Sequence, residues 1–98
     1  MGFVVYDRSK VAELDDRTLA HLQAVIVDKL RRMESFSWIL GDEQKEVVMW
    51  ISPSTPLEFV YVGNRQPALN RAWLEQLALT AGSTEGLMLV PEPADAYA

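Results

Sequence analysis

The sequence predicts an α+β fold, a two-layer sandwich in which two amphipathic helices cover one face of a mainly antiparallel sheet. Three observations carry this. Leu19, Leu22, Ile26, Leu30 and Met33 fall on one narrow helical stripe, and Leu69, Trp73, Leu74, Leu77 and Ala81 form a second. Between and around them lie short β-branched and aromatic runs with a period of two. The resulting order is β(β)αβββαβ.

Phe3-Val4-Val5-Tyr6 reads as the first strand. Asp7 to Lys10 is polar enough for a turn, and Val11 to Leu14 returns as a second strand. Asp15-Asp16 supplies an N-cap and negative charge to the first helix, whose last turn carries Lys29, Arg31 and Arg32 against the carbonyl dipoles. Arg17, His21, Asp28 and Arg32 lie opposite the apolar stripe, so His21 is expected at the solvent face.

Residues 34–62 then read as a three-strand antiparallel meander. Phe36, Trp38 and Leu40 share one face of its first strand, and Gly41 to Lys45 is a polar hairpin connection. Val47 to Ser52 returns, Pro53 and Pro56 bracket a turn, and Leu57 to Val62 follows. The second helix is placed after Asn64 or Gln66 as cap, with Pro67 in its first turn and Gly82 at a left-handed C′ position. Gly86 to Val90 is the last strand, closed by Pro91. Residues 1–91 are expected to form one domain and 92–98 a flexible C-terminal tail.

Ninety-eight residues bury roughly 65% of their unfolded surface, enough for one modest core. Cysteine is absent and histidine occurs once, which excludes disulfides, thiolate sites and a metal held by two imidazoles of one chain. The net charge of −5 and pI near 4.7 argue against a general phosphate-backbone binder. No apolar run approaches a membrane span, and residues 1–9 lack the pattern of a signal peptide. A cytoplasmic protein is the expectation.

Several motifs look like chemistry and read better as structure. Gly82-Ser83-Thr84-Glu85-Gly86 has the outline of a nucleophile elbow, but it joins helix to strand rather than strand to helix. Asp42, Glu43 and Glu46 lack the alternating ligands and glycine of a calcium loop. His21 has no neighbouring carboxylate placed by sequence to orient it as a base. No catalytic residue, metal or cofactor is expected.

Two surfaces remain as candidates. Gly63-Asn64-Arg65-Gln66-Pro67 precedes a helix N-terminus, where free N–H groups attract an anion. Asn64, Arg65 and Arg71, with Arg31 and Arg32 from the first helix, are its candidate anion or partner contacts. The other is apolar. Both faces of the strands at 47–52 and 57–62 are apolar, yet the helices cover one side only. Val48, Trp50, Val60 and Val62, or their alternates on the opposite face, are the candidate self-association residues, and a homodimer or a protein partner is expected.

Asp15-Asp16-Arg17-Thr18-Leu19-Ala20-His21-Leu22, Lys29-Leu30-Arg31-Arg32, Glu34-Ser35-Phe36 and Pro56-Leu57 make up the first part of a distinctive motif set. Arg65-Gln66-Pro67, Leu69 to Trp73, Gly86-Leu87 and Leu89 to Pro93 complete it. The set covers nearly the whole chain. It resembles a group of small actinobacterial proteins of unknown function, many of which carry the automatic label "ATP-dependent DNA ligase". Met33 stands where that pattern usually has glycine, and Ser52 where it usually has histidine. The label implies a lysine nucleophile in a Lys-x-Asp-Gly setting with metal-binding groups. Lys10, Lys29 and Lys45 are followed by Val-Ala-Glu, Leu-Arg-Arg and Glu-Val-Val, so none fits. The expected function is a non-enzymatic binding or scaffolding module, with a nucleic-acid-associated accessory protein as the alternative.

Overall fold

The computed structural model describes residues 1–41, 43–63 and 66–95. Its elements are β1 (Gly2–Tyr6), β2 (Ser9–Leu14), α1 (Asp16–Arg31), β3 (Phe36–Gly41), β4 (Glu46–Ile51), β5 (Leu57–Tyr61), α2 (Arg71–Ala81) and β6 (Leu87–Met88). The α+β class and the order of elements agree with the sequence. Among the described residues no helix is long and apolar enough to cross a membrane.

The strands do not form the expected single sheet. They divide into two three-stranded sheets, ordered β2-β1-β5 and β4-β3-β6. The meander ends after β4, because β5 leaves to pair antiparallel with β1, from Gly2 against Tyr61 to Tyr6 against Leu57. The turn before β5 is tied by the Thr55 hydroxyl, which accepts from Ser52 N–H at 2.8 Å. Asp7 N–H then donates to Pro56 O at 2.8 Å and joins that turn to the β1–β2 hairpin. Asp7 and Arg8 both have positive φ, 47° and 72°, as a two-residue hairpin between right-twisted strands requires. β6 is shorter than Gly86–Val90 and pairs parallel to β3, with Trp38 opposite Leu87.

Each helix lies on its own sheet. α1 packs on β1 and β5, α2 on β3 and β6, and the helices also touch each other. Leu19, Leu22, Ile26, Trp38, Ile51, Leu77 and Leu87 fill the shared core with no exposed surface. α1 starts where expected: Asp15 accepts from Thr18 N–H at 3.1 Å and from the Thr18 hydroxyl at 2.6 Å. Those bonds hold the Asp15 carboxyl below its ordinary pKa.

Met33 falls off the stripe. It follows the helix, is exposed, and takes the left-handed conformation at φ 60°. Glu34 N–H reaches back to Lys29 O at 3.1 Å, so Met33 fills the C′ position of a Schellman closure. Glycine suits that position because a side chain there costs roughly 1 kcal/mol.

α2 starts four residues after Pro67. Its cap is Asn70, whose Oδ1 accepts from Trp73 N–H at 3.2 Å, so neither Pro67 nor the exposed Leu69 belongs to the helix. Gly82 closes α2 in a right-handed conformation, φ −86°, rather than the expected left-handed one. The left-handed glycine is Gly86, at φ 104°, where the chain enters β6. Gly82 to Gly86 is a loop closed on itself: the Ser83 hydroxyl donates to Thr80 O at 2.7 Å and accepts from Gly86 N–H at 3.3 Å.

Candidate functional site

The apolar candidates are divided between the two sheets. On β4 the residues alternate, with Met49 and Ile51 in the core and Val48 and Trp50 turned out, each 60% exposed. Register places Ile39 opposite Val48 and Ser37 opposite Trp50, and Met88 next to Ile39, so these residues share the outer face. Val60 is half-buried on β5, paired with Phe3 in the other sheet, and Val62 is exposed just beyond that strand. Trp38 and Trp73 are core residues, which leaves Trp50 as the exposed tryptophan.

β4 is also an edge strand, and between Glu46 and Ile51 it carries no lysine or proline. Natural edges are usually blunted by such residues. One end of this edge is covered, because the Tyr6 hydroxyl donates to Trp50 O at 3.0 Å.

The arginines are not gathered at one place. Arg32 donates to Asp28 at 2.7 Å and to Glu34 at 3.3 Å at the C-terminal end of α1. Arg31 flanks a shallow depression with Gln23, Val27 and Asp28. Arg71 is exposed at the start of α2, 3.7 Å from Glu75. α2 meets α1 at His21, and Arg31 is ten residues further along, roughly 15 Å of helix rise. The N–H group of Trp73 is taken by the Asn70 cap, which removes one of the donors an anion would need. Asn64 and Arg65 lie outside the described residues, as does Asp42 of the hairpin connection.

His21 corrects the helical wheel. It is fully buried, with its ring centroid 4.5 Å from that of Trp73. Asn70 N–H donates to its Nε2 at 2.7 Å, so Nε2 accepts and the proton of the neutral ring sits on Nδ1. Nδ1–H donates to Arg17 O at 2.7 Å. Both ring nitrogens are engaged, and the imidazole fastens α1 to the cap of α2 rather than serving as a base.

Around it stands a polar network that the sequence reading missed. Arg17 grips Glu92 through Nε at 2.8 Å and Nη2 at 2.6 Å, while Nη1 donates to Ala68 O at 2.7 Å. Asn70, 2% exposed, gives its Nδ2–H₂ to Glu92 Oε2 at 2.9 Å and Pro93 O at 2.8 Å. Glu92 and Pro93, placed by the sequence in a loose tail, are thus held against both helices. Arg17 and Glu92 are 75 positions apart, so no local pattern could have paired them.

The Arg17 guanidinium first, and the Asn70 amide second, lower the Glu92 carboxyl to a pKa of about 2. A depressed carboxylate stabilises the fold above its unfolded pKa, near 4.5, and loses that contribution as pH falls toward 2. Glu92→Gln is therefore expected to be less stable than wild type at pH 6, with most of that gap gone at pH 2. Urea titration at both pH values measures it; a gap independent of pH would remove the ion pair as its cause.

A cleft of about 370 Å³ opens between α1 and the chain after β5, lined by Ala20, Gln23, Tyr61, Gly63, Pro67 and Leu69 among others. The Tyr61 hydroxyl donates to Gln23 Oε1 at 2.6 Å, and its pKa is raised by burial and by the Asp16 charge. Tyr61 is the one titratable group among the described residues that line it, and no acid–base pair faces it. Among the described residues no three His, Asp or Glu side chains are grouped to hold a metal ion.

Residues 1–92 match a family model described as a domain of unknown function, DUF7882. No curated protein and no solved structure matches the chain.

Proposed function

The chain belongs to this DUF7882 family, and on that premise we propose that it is a non-enzymatic binding or scaffolding module that self-associates through the outer face of β4. The exposure of Val48 and Trp50 on one pleated face is the observation that carries this reading. An exposed aliphatic–aromatic pair on one face of this edge strand has the composition of an interface centre, where aromatic anchors supply most of the binding energy. Identical copies meeting on that face close as a two-fold dimer. Contact by the face is favoured over strand addition at the edge, because Tyr6 already occupies the backbone of Trp50. Val60, on the other sheet, and Val62, just beyond its β5, are left out of this interface.

Sedimentation equilibrium tests it. A dimer is expected at high micromolar concentration in both low and high salt, since apolar burial is not weakened by screening. Trp50→Glu, at a position already facing water, is expected to give a folded monomer. A wild-type monomer would overturn the proposal, and salt-sensitive retention on DNA would put a nucleic-acid role in its place. As for the ligase label, incubation with ATP and Mg²⁺ is expected to leave no adenylate on Lys10, Lys29 or Lys45, read by mass spectrometry. A lysine adduct would make the protein an enzyme.

A further inference from the structure

The chain from Leu89 to Pro93 runs along α2 as a strap, and the groups that hold it read a peptide rather than complete a sheet. Trp73 Nε1–H donates to Val90 O at 2.9 Å. Asn70 gives one amide group to the Glu92 carboxylate and to the carbonyl of the next residue, Pro93. Arg17 adds the two-pronged grip on the carboxylate. Two backbone carbonyls and one acidic side chain are thus recognised along four residues. Paired carboxylate contacts to guanidinium are among the stronger and more specific hydrogen bonds in proteins.

These donors are positioned by bonds that do not involve the strap. Asn70 is held by His21 at its N–H and by Trp73 N–H at its Oδ1. The Trp73 ring rests on His21, and Arg17 is braced on Ala68 O. The seat therefore keeps its shape when the strap leaves. The strap is equally suited to leaving: Leu89, Pro91 and Glu92 are exposed, and Pro91 and Pro93 have no N–H to commit to a sheet. Its fully buried anchor, Leu87, lies upstream in β6 and need not move, so leaving uncovers only the half-buried Val90 and Pro93 of the strap itself.

We propose that Arg17, Asn70 and Trp73 form a binding seat for an extended glutamate peptide flanked by prolines, filled in the free protein by its own Val90–Pro93. Tethering gives the strap an effective concentration in the millimolar range, so it excludes the same sequence on another chain until its carboxylate is lost. The ligand class is an acidic, proline-flanked segment in extended form. This seat is separate from the β4 face and stands whether or not that face dimerises.

The test uses the full-length Glu92→Ala variant and a synthetic peptide of residues 89–95, followed by NMR at the Trp73 indole N–H and the Asn70 amide group. Saturable binding is expected, at least about ten-fold tighter than to wild type, because the competing carboxylate is gone. A peptide with glutamine in place of glutamate is expected to bind about ten-fold more weakly, as is the native peptide to an Arg17→Ala, Glu92→Ala double variant. No saturable shift in the folded variant, or equal binding of the glutamine peptide, would overturn the seat. Should Glu92→Ala not fold, Glu92→Gln, which also lacks the competing carboxylate, is titrated in its place, and silence of the same two signals in that folded variant would overturn the seat equally.

Discussion

Gly86→Ala is expected to cost about 3 kcal/mol, the sum of a left-handed backbone penalty and an overpacking term of similar size. At φ 104° an L side chain is strained whatever space surrounds it. Here there is none. An added Cβ would stand 2.6 Å from Ser37 O and 2.8 Å from Ser37 Cβ. Ser37 cannot retreat, because β3 is paired on one side with β4 and on the other with β6. The strand that would be pushed away carries Leu87, which is fully buried beside Trp38. A chemical denaturation midpoint gives the loss directly. A shift worth under about 1 kcal/mol would mean that the approach of β6 to β3 is looser than described.

His21→Ala and Ile26→Ala are expected to be comparably damaging, although a helical wheel puts the two residues on opposite faces. Ile26 is a fully buried aliphatic, and its truncation should cost about 2–5 kcal/mol. His21 is as fully buried, so its removal leaves a cavity of its own and also strands a buried donor. Asn70 N–H would lose its acceptor, at about 1–3 kcal/mol, and Trp73 its ring partner, at about 1 kcal/mol. Equilibrium unfolding of both variants decides the matter. A loss near zero for His21→Ala would return the ring to solvent and dissolve the link between α1 and α2.

The wheel failed at His21 for a physical reason. A single apolar stripe assumes that a helix has one neighbour. α1 has two, its sheet and α2, so its buried arc takes in Thr18 and His21 as well as Leu19, Leu22, Val25 and Ile26. A polar side chain enters such an arc when partners satisfy it, and those partners are distant in sequence. Of the candidate site, the shared face of Val48 and Trp50 was legible as alternation along β4, whereas which face turns outward was not, nor was the seat of Arg17, Asn70 and Glu92. The pair Arg32–Asp28 follows from helical spacing, and nothing local announces Arg17–Glu92.

What the sequence determined by itself is the type and order of the elements and the start of α1. These depend on periodicity, on Asp15 as a cap, and on turn residues such as Pro53 and Pro56, all of which act within a few positions. The tertiary structure alone decided that β5 joins β1, that β6 lies parallel to β3, and that the strap is fastened across both helices. Strand pairing is made by backbone groups that every residue carries, so alternation names a face but not a neighbour. The parallel approach of β6 and the Arg17–Glu92 grip join segments far apart in sequence, so only the packed arrangement of the two helices specifies them.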